Sequence, residues 1–154
     1  MSERGSSPAD ADPFNLQRFV DAQNSSSQYD AALRELRAGV KRGHWIWWIF
    51  PQLLGLGRST TSRAYGIANL DEARAYLVHA VLGPRLLECT SAMTAHVGRS
   101  AIDILGALDA MKFRSSMTLF FRADPTRRFF GLALDQFFDG IADAETDRLL
   151  RLTP

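Results

Sequence analysis

The chain has 154 residues, of which 46% are hydrophobic and 23% are charged, the composition of an ordinary globular domain. Its 18 basic and 17 acidic side chains leave a formal charge of +1, so general nucleic-acid binding is disfavoured. A single cysteine, no signal-peptide core and no apolar segment long enough to cross a bilayer predict a cytoplasmic protein that does not enter the membrane.

Residues 1–11, MSERGSSPADA, are small and polar and predict a disordered tail, which leaves residues 12–154 as a single domain. Asp12 followed by Pro13 predicts the start of a first helix, which ends before an NSSS run. Ser26 or Ser27 caps the second helix. Its buried stripe is Tyr29, Ala32, Leu33, Leu36 and Val40. Its solvent face is Arg34, Glu35 and Arg37.

The stretch of residues 41–66, KRGHWIWWIFPQLLGLGRSTTSRAYG, holds all three tryptophans together with several glycines and cations. Trp45, Trp48 and Gln52 recur at helical spacing, which predicts one or two helical turns, although a short strand fits as well. Gly55 and Gly57 alternate with leucines and predict a shaped loop that lies close to a neighbour or a ligand. The tryptophans are interpreted either as core packing or as the wall of a ligand site.

Capping residues predict where the remaining helices begin. These residues are Ser59, Asn69 with Glu72, Ser100 with Asp103, Asp109, Asp124 with Pro125, and Asp143. Gly83 and Pro84 predict the start of a further helix over residues 84–97. Because no segment alternates as a strand does, the predicted class is all-α, a single compact domain of about seven to nine helices.

Two histidines are candidates for proton transfer, because a histidine near its ordinary pKa of about 6.5 acts as acid or base at neutral pH. They are His44 and His79, and a structural hydrogen-bonding role is the alternative for each. The three histidines and Cys89 show no metal-ligand spacing, so no metal is predicted, and no cofactor is implied.

A second polar group lies between apolar helices, where a buried polar side chain costs free energy unless it is paired. It comprises Asp109, Lys112, Arg114, Ser115 and Ser116. Asp109 and Lys112 are either a structural ion pair or part of a ligand site. In the functional interpretation, Lys112 and the two serines bind phosphate or ribose.

Several motifs occur in an order that resembles a known family. They are RGHWIWWIFPQLLGLGRS, YGI at 65–67, DEARAYLVHAVLGPRLLEC at 71–89 and KFRSSMTLF at 112–120. The chain resembles, over roughly residues 14–150, an uncharacterised all-helical bacterial family of unknown function, some of whose members are labelled calpastatin-like. The resemblance implies an all-α fold and carries over no catalytic residue. The chain has Ala80 where similar proteins have proline, and lacks their Pro-Asp-Asp run before Lys112.

The sequence therefore predicts a cleft for a small anionic ligand that is nucleotide-like or ADP-ribose-like, with hydrolysis of a glycosidic or phosphate bond as its enzymatic form. His44 and Asp109 are the candidate catalytic residues. The candidate ligand-binding residues are Trp45, Trp48, Gln52, Arg58, Tyr65, His79, Lys112, Ser115 and Ser116. Cations beside aromatic rings suit such a ligand. The alternative is a non-catalytic protein-interaction module that uses an aromatic surface, with an unknown partner.

Overall fold

The chain folds into helices joined by loops, in a computed structural model that describes residues 12–153. The predicted disordered tail, residues 1–11, lies outside the described residues. Seven described helices have eight or more residues: α1 (Gln17–Asn24), α2 (Gln28–Ala38), α5 (Leu70–Val78), α6 (Leu82–Thr94), α8 (Ala107–Ala123), α9 (Arg128–Phe138) and α10 (Ala144–Leu152). Three are single turns: α3 (Ile46–Ile49), α4 (Thr60–Ala64) and α7 (Ala101–Leu105). The prediction of an all-α, compact single domain is confirmed.

Side-chain caps begin four of these helices at the positions that the sequence predicted. Ser59 caps α4, Asn69 caps α5, Ser100 caps α7 and Asp143 caps α10, each accepting a hydrogen bond from a backbone N–H three residues later. Ser100 and Asp103 form a reciprocal capping box. Local sequence chemistry therefore determines where these helices start.

Other helix boundaries differ from the prediction. Asp12 accepts hydrogen bonds from the N–H groups of Leu16 and Gln17, so it closes a turn and α1 begins later, at Gln17. Asp109 does not cap α8, which begins at Ala107 after Gly106 and has Asp109 in its first turn. The prediction of Asp109 as a cap was wrong because the positive φ of Gly106, +84°, ends α7 and lets the next helix start at once.

The longest helix, α8, lies at the centre of the fold, with α3, α5, α7, α9 and α10 packed against it. Its buried face carries Phe113 and Phe120, both 0% exposed. The ring of Phe113 contacts that of Phe50 with centroids 4.8 Å apart, and the ring of Phe120 contacts that of Tyr76 at 5.3 Å. These aromatic contacts fix α8 against α5 and against the segment that follows the tryptophans.

The predicted shaped loop follows α3 and is confirmed. Gly55 has a φ of +104°, which a residue with a side chain rarely adopts. A Cβ atom added at Gly57 would lie 2.4 Å from Oγ of Ser62, so the loop backbone lies directly against α4. The N–H of Leu54 donates to the carbonyl of Ile67 at 2.7 Å, which closes the loop at its base.

Arg18 ties α1 to this region. Its guanidinium donates to the carbonyls of Ala64 and Gly66 and lies 2.8 Å from the carboxylate of Glu72, whose side chain is 4% exposed. It also donates to the carbonyl of Phe14. A planar group with five donors therefore connects three separate segments. Among residues 12–153, no helix is both long and apolar enough to span a bilayer.

Candidate functional site

A cleft of 440 Å³ opens between the loop of residues 39–45, here called the cleft loop, and the start of α8. This volume falls in the range of small-molecule sites, about 300–1,000 Å³. Its lining combines cations, one carboxylate, one imidazole and one indole. The lining residues are Lys41, His44, Trp47, Leu105, Gly106, Ala107, Leu108, Asp109 and Lys112.

The first turn of α8 forms one wall of the cleft. Gly106 occupies the capping position and provides no side chain, so the side-chain cap that begins four other helices is missing here. The N–H groups of the first turn have no carbonyl partner inside the helix, and the helix dipole places partial positive charge at this end. Groups of this kind hydrogen-bond to anions.

Two lysines share one carboxylate at this wall. The ammonium of Lys41 lies 2.7 Å from Oδ2 of Asp109, and that of Lys112 lies 3.5 Å from Oδ1. The side chain of Lys41 is 6% exposed and that of Lys112 is 28% exposed. One carboxylate contacts two ammonium groups and neutralises one of the two positive charges, so the three side chains carry a net charge of +1.

Trp47 forms the aromatic part of the wall. The ammonium of Lys112 lies 5.1 Å from the centroid of the Trp47 ring, a cation–π contact. The ring of Trp47 also lies 5.9 Å from that of Trp48. The indole nitrogens of Trp47 and Trp48 are buried and have no hydrogen-bond partner among the described residues.

Glu35 of α2 holds the cleft loop. Its Oε1 accepts hydrogen bonds from the N–H of Arg42 at 2.7 Å, from the N–H of Gly43 at 2.9 Å and from the indole of Trp45 at 2.9 Å. Burial alone would raise the pKa of Glu35, but hydrogen bonds from Gly43, Arg42 and Trp45 outweigh it and lower the pKa below its ordinary value. The prediction that Glu35 faces solvent was wrong, because its carboxylate turns back toward the loop.

Three predicted site residues meet in this cleft: His44, Asp109 and Lys112. His44 is exposed on the cleft loop, and its ring makes no hydrogen bond with the described residues. Asp109 and Lys112 lie one helical turn apart on α8. These three residues lie where the cleft loop meets the start of α8.

Trp45 and Trp48 do not line the cleft. Trp45 is 1% exposed, and its indole donates to Glu35, so it belongs to the core beneath the loop. Trp48 packs edge to face against Tyr65 with centroids 5.3 Å apart. The carbonyl of Trp48 accepts a hydrogen bond from Gln23 at 2.7 Å. Of the three tryptophans, Trp47 is the one that reaches the cleft.

Three further candidates lie in or beside the glycine-rich loop, away from the cleft lining. Gln52 is 8% exposed, and its side chain lies beside Gly57. Arg58 is exposed, and Tyr65 packs between Trp48 and Phe19. The spacing along the chain does not reveal this separation, because the loop turns the chain away after Pro51.

His79 acts as a helix cap. Its Nδ1 accepts hydrogen bonds from the N–H groups of Val81 and Leu82, 3.1 and 3.2 Å away, at the start of α6. By accepting two hydrogen bonds, this nitrogen satisfies two backbone N–H groups that the start of a helix otherwise leaves unpaired. The structural interpretation of His79 therefore fits its geometry.

Ser115 and Ser116 face away from the cleft. Ser115 donates to Asp143 at 3.1 Å, which anchors the start of α10, and Ser116 is 0% exposed in the core. Thr118 assists the same anchor, since it accepts a hydrogen bond from the N–H of Asp143 at 2.9 Å. Ser115 and Thr118 therefore attach α10 to α8, whereas the buried hydroxyl of Ser116 has no hydrogen-bond partner among the described residues.

The sequence analysis included Lys41 only among the cations of residues 41–66, and it assigned neither Glu35 nor Gly106 to a site. The signal for Gly106 was available, because a glycine between two helical patterns marks a helix end without a side chain. Among residues 12–153, no three His, Cys, Asp or Glu side chains lie together as metal ligands. Cys89 is 1% exposed, and burial raises the pKa of its thiol to about 12.

Fold and site together define a small all-α domain with a weakly cationic cleft at the start of its central helix. The chain belongs to the family described as protein of unknown function (DUF1810), whose model matches residues 13–150. It is similar to the conserved hypothetical protein Rv1873 from Mycobacterium tuberculosis, known from a crystal structure, with 49% identity and a TM-score of 0.88. That match covers 92% of this chain and 100% of the other. No curated protein matches the sequence.

Proposed function

We propose that the cleft binds a small anionic ligand, nucleotide-like or ADP-ribose-like. The observation that carries this proposal is the convergence of Lys41 and Lys112 on the uncapped start of α8. Ammonium groups and free backbone N–H groups at a helix start are the donors that bind phosphate. The proposal includes a cytoplasmic location, which the use of a single cysteine, free and buried, supports.

Within this proposal, Lys112 pairs with the phosphate and Trp47 supplies an apolar wall for a planar group. Lys112 is the more available of the two lysines, because it is more exposed than Lys41 and lies farther from Asp109. Lys41 then keeps the carboxylate of Asp109 neutralised while the ligand occupies Lys112. Asp109 therefore serves to position both lysines.

An enzymatic form of the proposal assigns proton transfer to His44, which stands exposed on the cleft loop. Asp109 is less suited to that role, because two ammonium groups contact it. Hydrolysis of a phosphate or glycosidic bond is the reaction class. Incubation with adenosine 5′-monophosphate and with ADP-ribose, followed by chromatography of the products, tests it, with His44→Ala as the inactive control.

Binding is tested by a thermal-shift screen against nucleotides, sugar phosphates and NAD-related metabolites, followed by calorimetry of each hit. Lys112→Ala is expected to weaken binding of a hit by about tenfold or more, the equivalent of one charged hydrogen bond. Arg151→Ala, which removes an exposed cation of α10, is the matched control and should bind as the wild type does. Equal affinity in Lys112→Ala and wild type would exclude this cleft.

The second candidate function is protein interaction. It is favoured by Leu108 and Met111, which lie at the start of α8 with exposed fractions of 76% and 67%. The surface would be aliphatic, because Trp45 is buried and Trp47 and Trp48 are half-buried. A screen in which no anion changes the melting temperature would favour this candidate.

A further inference from the structure

We infer that Glu35 is the positioning residue of the cleft: its carboxylate holds the cleft loop in the conformation that presents His44 to a ligand and keeps Lys41 against Asp109. The role as a binding-site positioner rests on the proposed function. Glu35 itself does not line the cleft, so it would act through the loop.

The first support is the number of loop donors that converge on one atom. Oε1 of Glu35 accepts from the backbone N–H groups of Arg42 and Gly43 and from the indole of Trp45. Hydrogen bonds to an ionised acceptor are roughly twice as strong as neutral ones. Without the Glu35 side chain, these three donors lose their shared acceptor, so residues 42–45 lose their hydrogen bonds to α2, whereas the N–H of Val40 keeps its backbone bond to the carbonyl of Glu35.

The second support is the position of the residues that the loop carries. Lys41 precedes the two backbone donors, and His44 stands between Gly43 and Trp45, so both cleft residues flank the points that Glu35 holds. The N–H of Lys41 also donates to the carbonyl of Ile104 at 2.8 Å, which fixes the start of the loop to α7. Glu35 holds residues 42–45, together with the ammonium of Lys41, which donates to the carbonyl of Gly43.

The third support is steric. A Cβ atom added at Gly43 would lie 2.8 Å from Cδ1 of Trp45 and 3.6 Å from Oε2 of Glu35. The loop backbone therefore lies directly on these two side chains, and glycine allows that approach. A side chain at residue 43 would collide with the ring of Trp45 and displace the loop or that ring, which donates to Glu35, while leaving the carboxylate intact.

The loop can be tested without any ligand, because trypsin cleaves after Lys41 and Arg42. In Glu35→Ala, native-state cleavage at these two bonds is expected to rise by about tenfold or more, while cleavage after the exposed Arg58 stays constant. Glu35→Gln keeps an oxygen that accepts hydrogen bonds and should stay within about threefold of wild type. Glu145→Ala, which removes an exposed partner of Arg148, is the matched control.

Binding is measured in the same variants with adenosine 5′-monophosphate and inorganic phosphate as probes. Affinity should fall by about tenfold in Glu35→Ala and be retained in Glu35→Gln and Glu145→Ala. If Glu35→Ala does not fold, Gly43→Ala replaces it and is expected to show the same increase in cleavage and the same loss of affinity.

The outcomes separate the two proposals. If the wild type binds neither probe, the proposal of a phosphate-binding cleft fails, and the cleavage pattern still decides whether Glu35 holds the loop. If Glu35→Ala and Gly43→Ala are cleaved at the wild-type rate, the positioning role is overturned. It is also overturned if either variant opens the loop and retains the affinity of the wild type.

Discussion

Asp109 is paired with Lys41, 2.7 Å away on the cleft loop, more closely than with Lys112, its neighbour on the same helix at 3.5 Å. The long-range pair is also the better buried of the two. It connects the tryptophan segment to the start of α8, and so determines the shape of the cleft.

This difference predicts unequal effects on stability. Lys41→Ala removes the closer and more buried of the two partners of Asp109, which keeps Lys112, and should lower the free energy of unfolding by about 1.5–3 kcal/mol. Lys112→Ala removes a longer, more exposed contact and should cost no more than about 1 kcal/mol. Urea unfolding followed by circular dichroism measures both.

A double variant tests whether the loss of stability in Lys41→Ala comes from the ion pair between Lys41 and Asp109. Lys41→Met with Asp109→Leu removes both charges together and should recover most of the stability that Lys41→Ala loses, because apolar replacements of a buried pair are often neutral. Equal losses in Lys41→Ala and Lys112→Ala would contradict the geometry.

The shaped loop makes a second prediction. Gly57→Ala places Cβ 2.5 Å from Cβ of Ser62 and should destabilise the fold by about 1–3 kcal/mol, and Gly57→Val by more. The measurement is the midpoint of urea unfolding. Ser62→Gly removes the clashing atoms, so the double variant should lose less than the sum of the two single variants. Strict additivity would show that the contact is not responsible.

Arg18 provides a third prediction. Arg18→Lys keeps the charge but cannot reach the carbonyls of Phe14, Ala64 and Gly66 together with Glu72, so it should destabilise by about 2–4 kcal/mol. Arg74→Lys is the control, since the Arg74 side chain is 53% exposed. The measurement is the melting temperature of each variant. Equal melting temperatures for Arg18→Lys and Arg74→Lys would show that the guanidinium geometry of Arg18 does not contribute to stability.

The fourth prediction concerns pH. The pKa of Glu35 lies below its ordinary value of 4.5 in the folded protein, so its charge contributes fully to stability above about pH 4.5. That contribution is lost as the pH falls through the folded-state pKa. The difference in unfolding free energy between wild type and Glu35→Gln should therefore shrink on acidification from about pH 6 to pH 3. A constant difference would indicate that the charge is not involved.

The sequence was most informative where structure depends on near neighbours. Four helices are capped as predicted, by Ser59, Asn69, Ser100 and Asp143. A capping side chain needs only the backbone N–H group three residues later in the chain, so the sequence nearby is sufficient to predict it. The conformations of Gly55 and Gly57 were predictable for the same reason, since alternating glycines mark backbone that side chains cannot occupy.

Pairings between distant segments were not predictable. Nothing near Lys41 in the chain indicates Asp109 as its partner, and the helical pattern of α2 placed Glu35 on the solvent side. Trp45 and Trp47 look equivalent in sequence, yet one is 1% exposed and the other lines the cleft. Which tryptophan lines the cleft depends on how the cleft loop enters α3, where the indole of Trp45 donates to Glu35 on α2.

The buried thiol of Cys89 has a practical consequence for spectroscopy. It is the single cysteine of the sequence, and burial with a pKa of about 12 keeps it from reacting with maleimides at neutral pH. A fluorophore or spin label can therefore be attached at Leu108→Cys on the rim of the cleft without first removing the native cysteine. The label would test directly whether the proposed anion binds in the cleft.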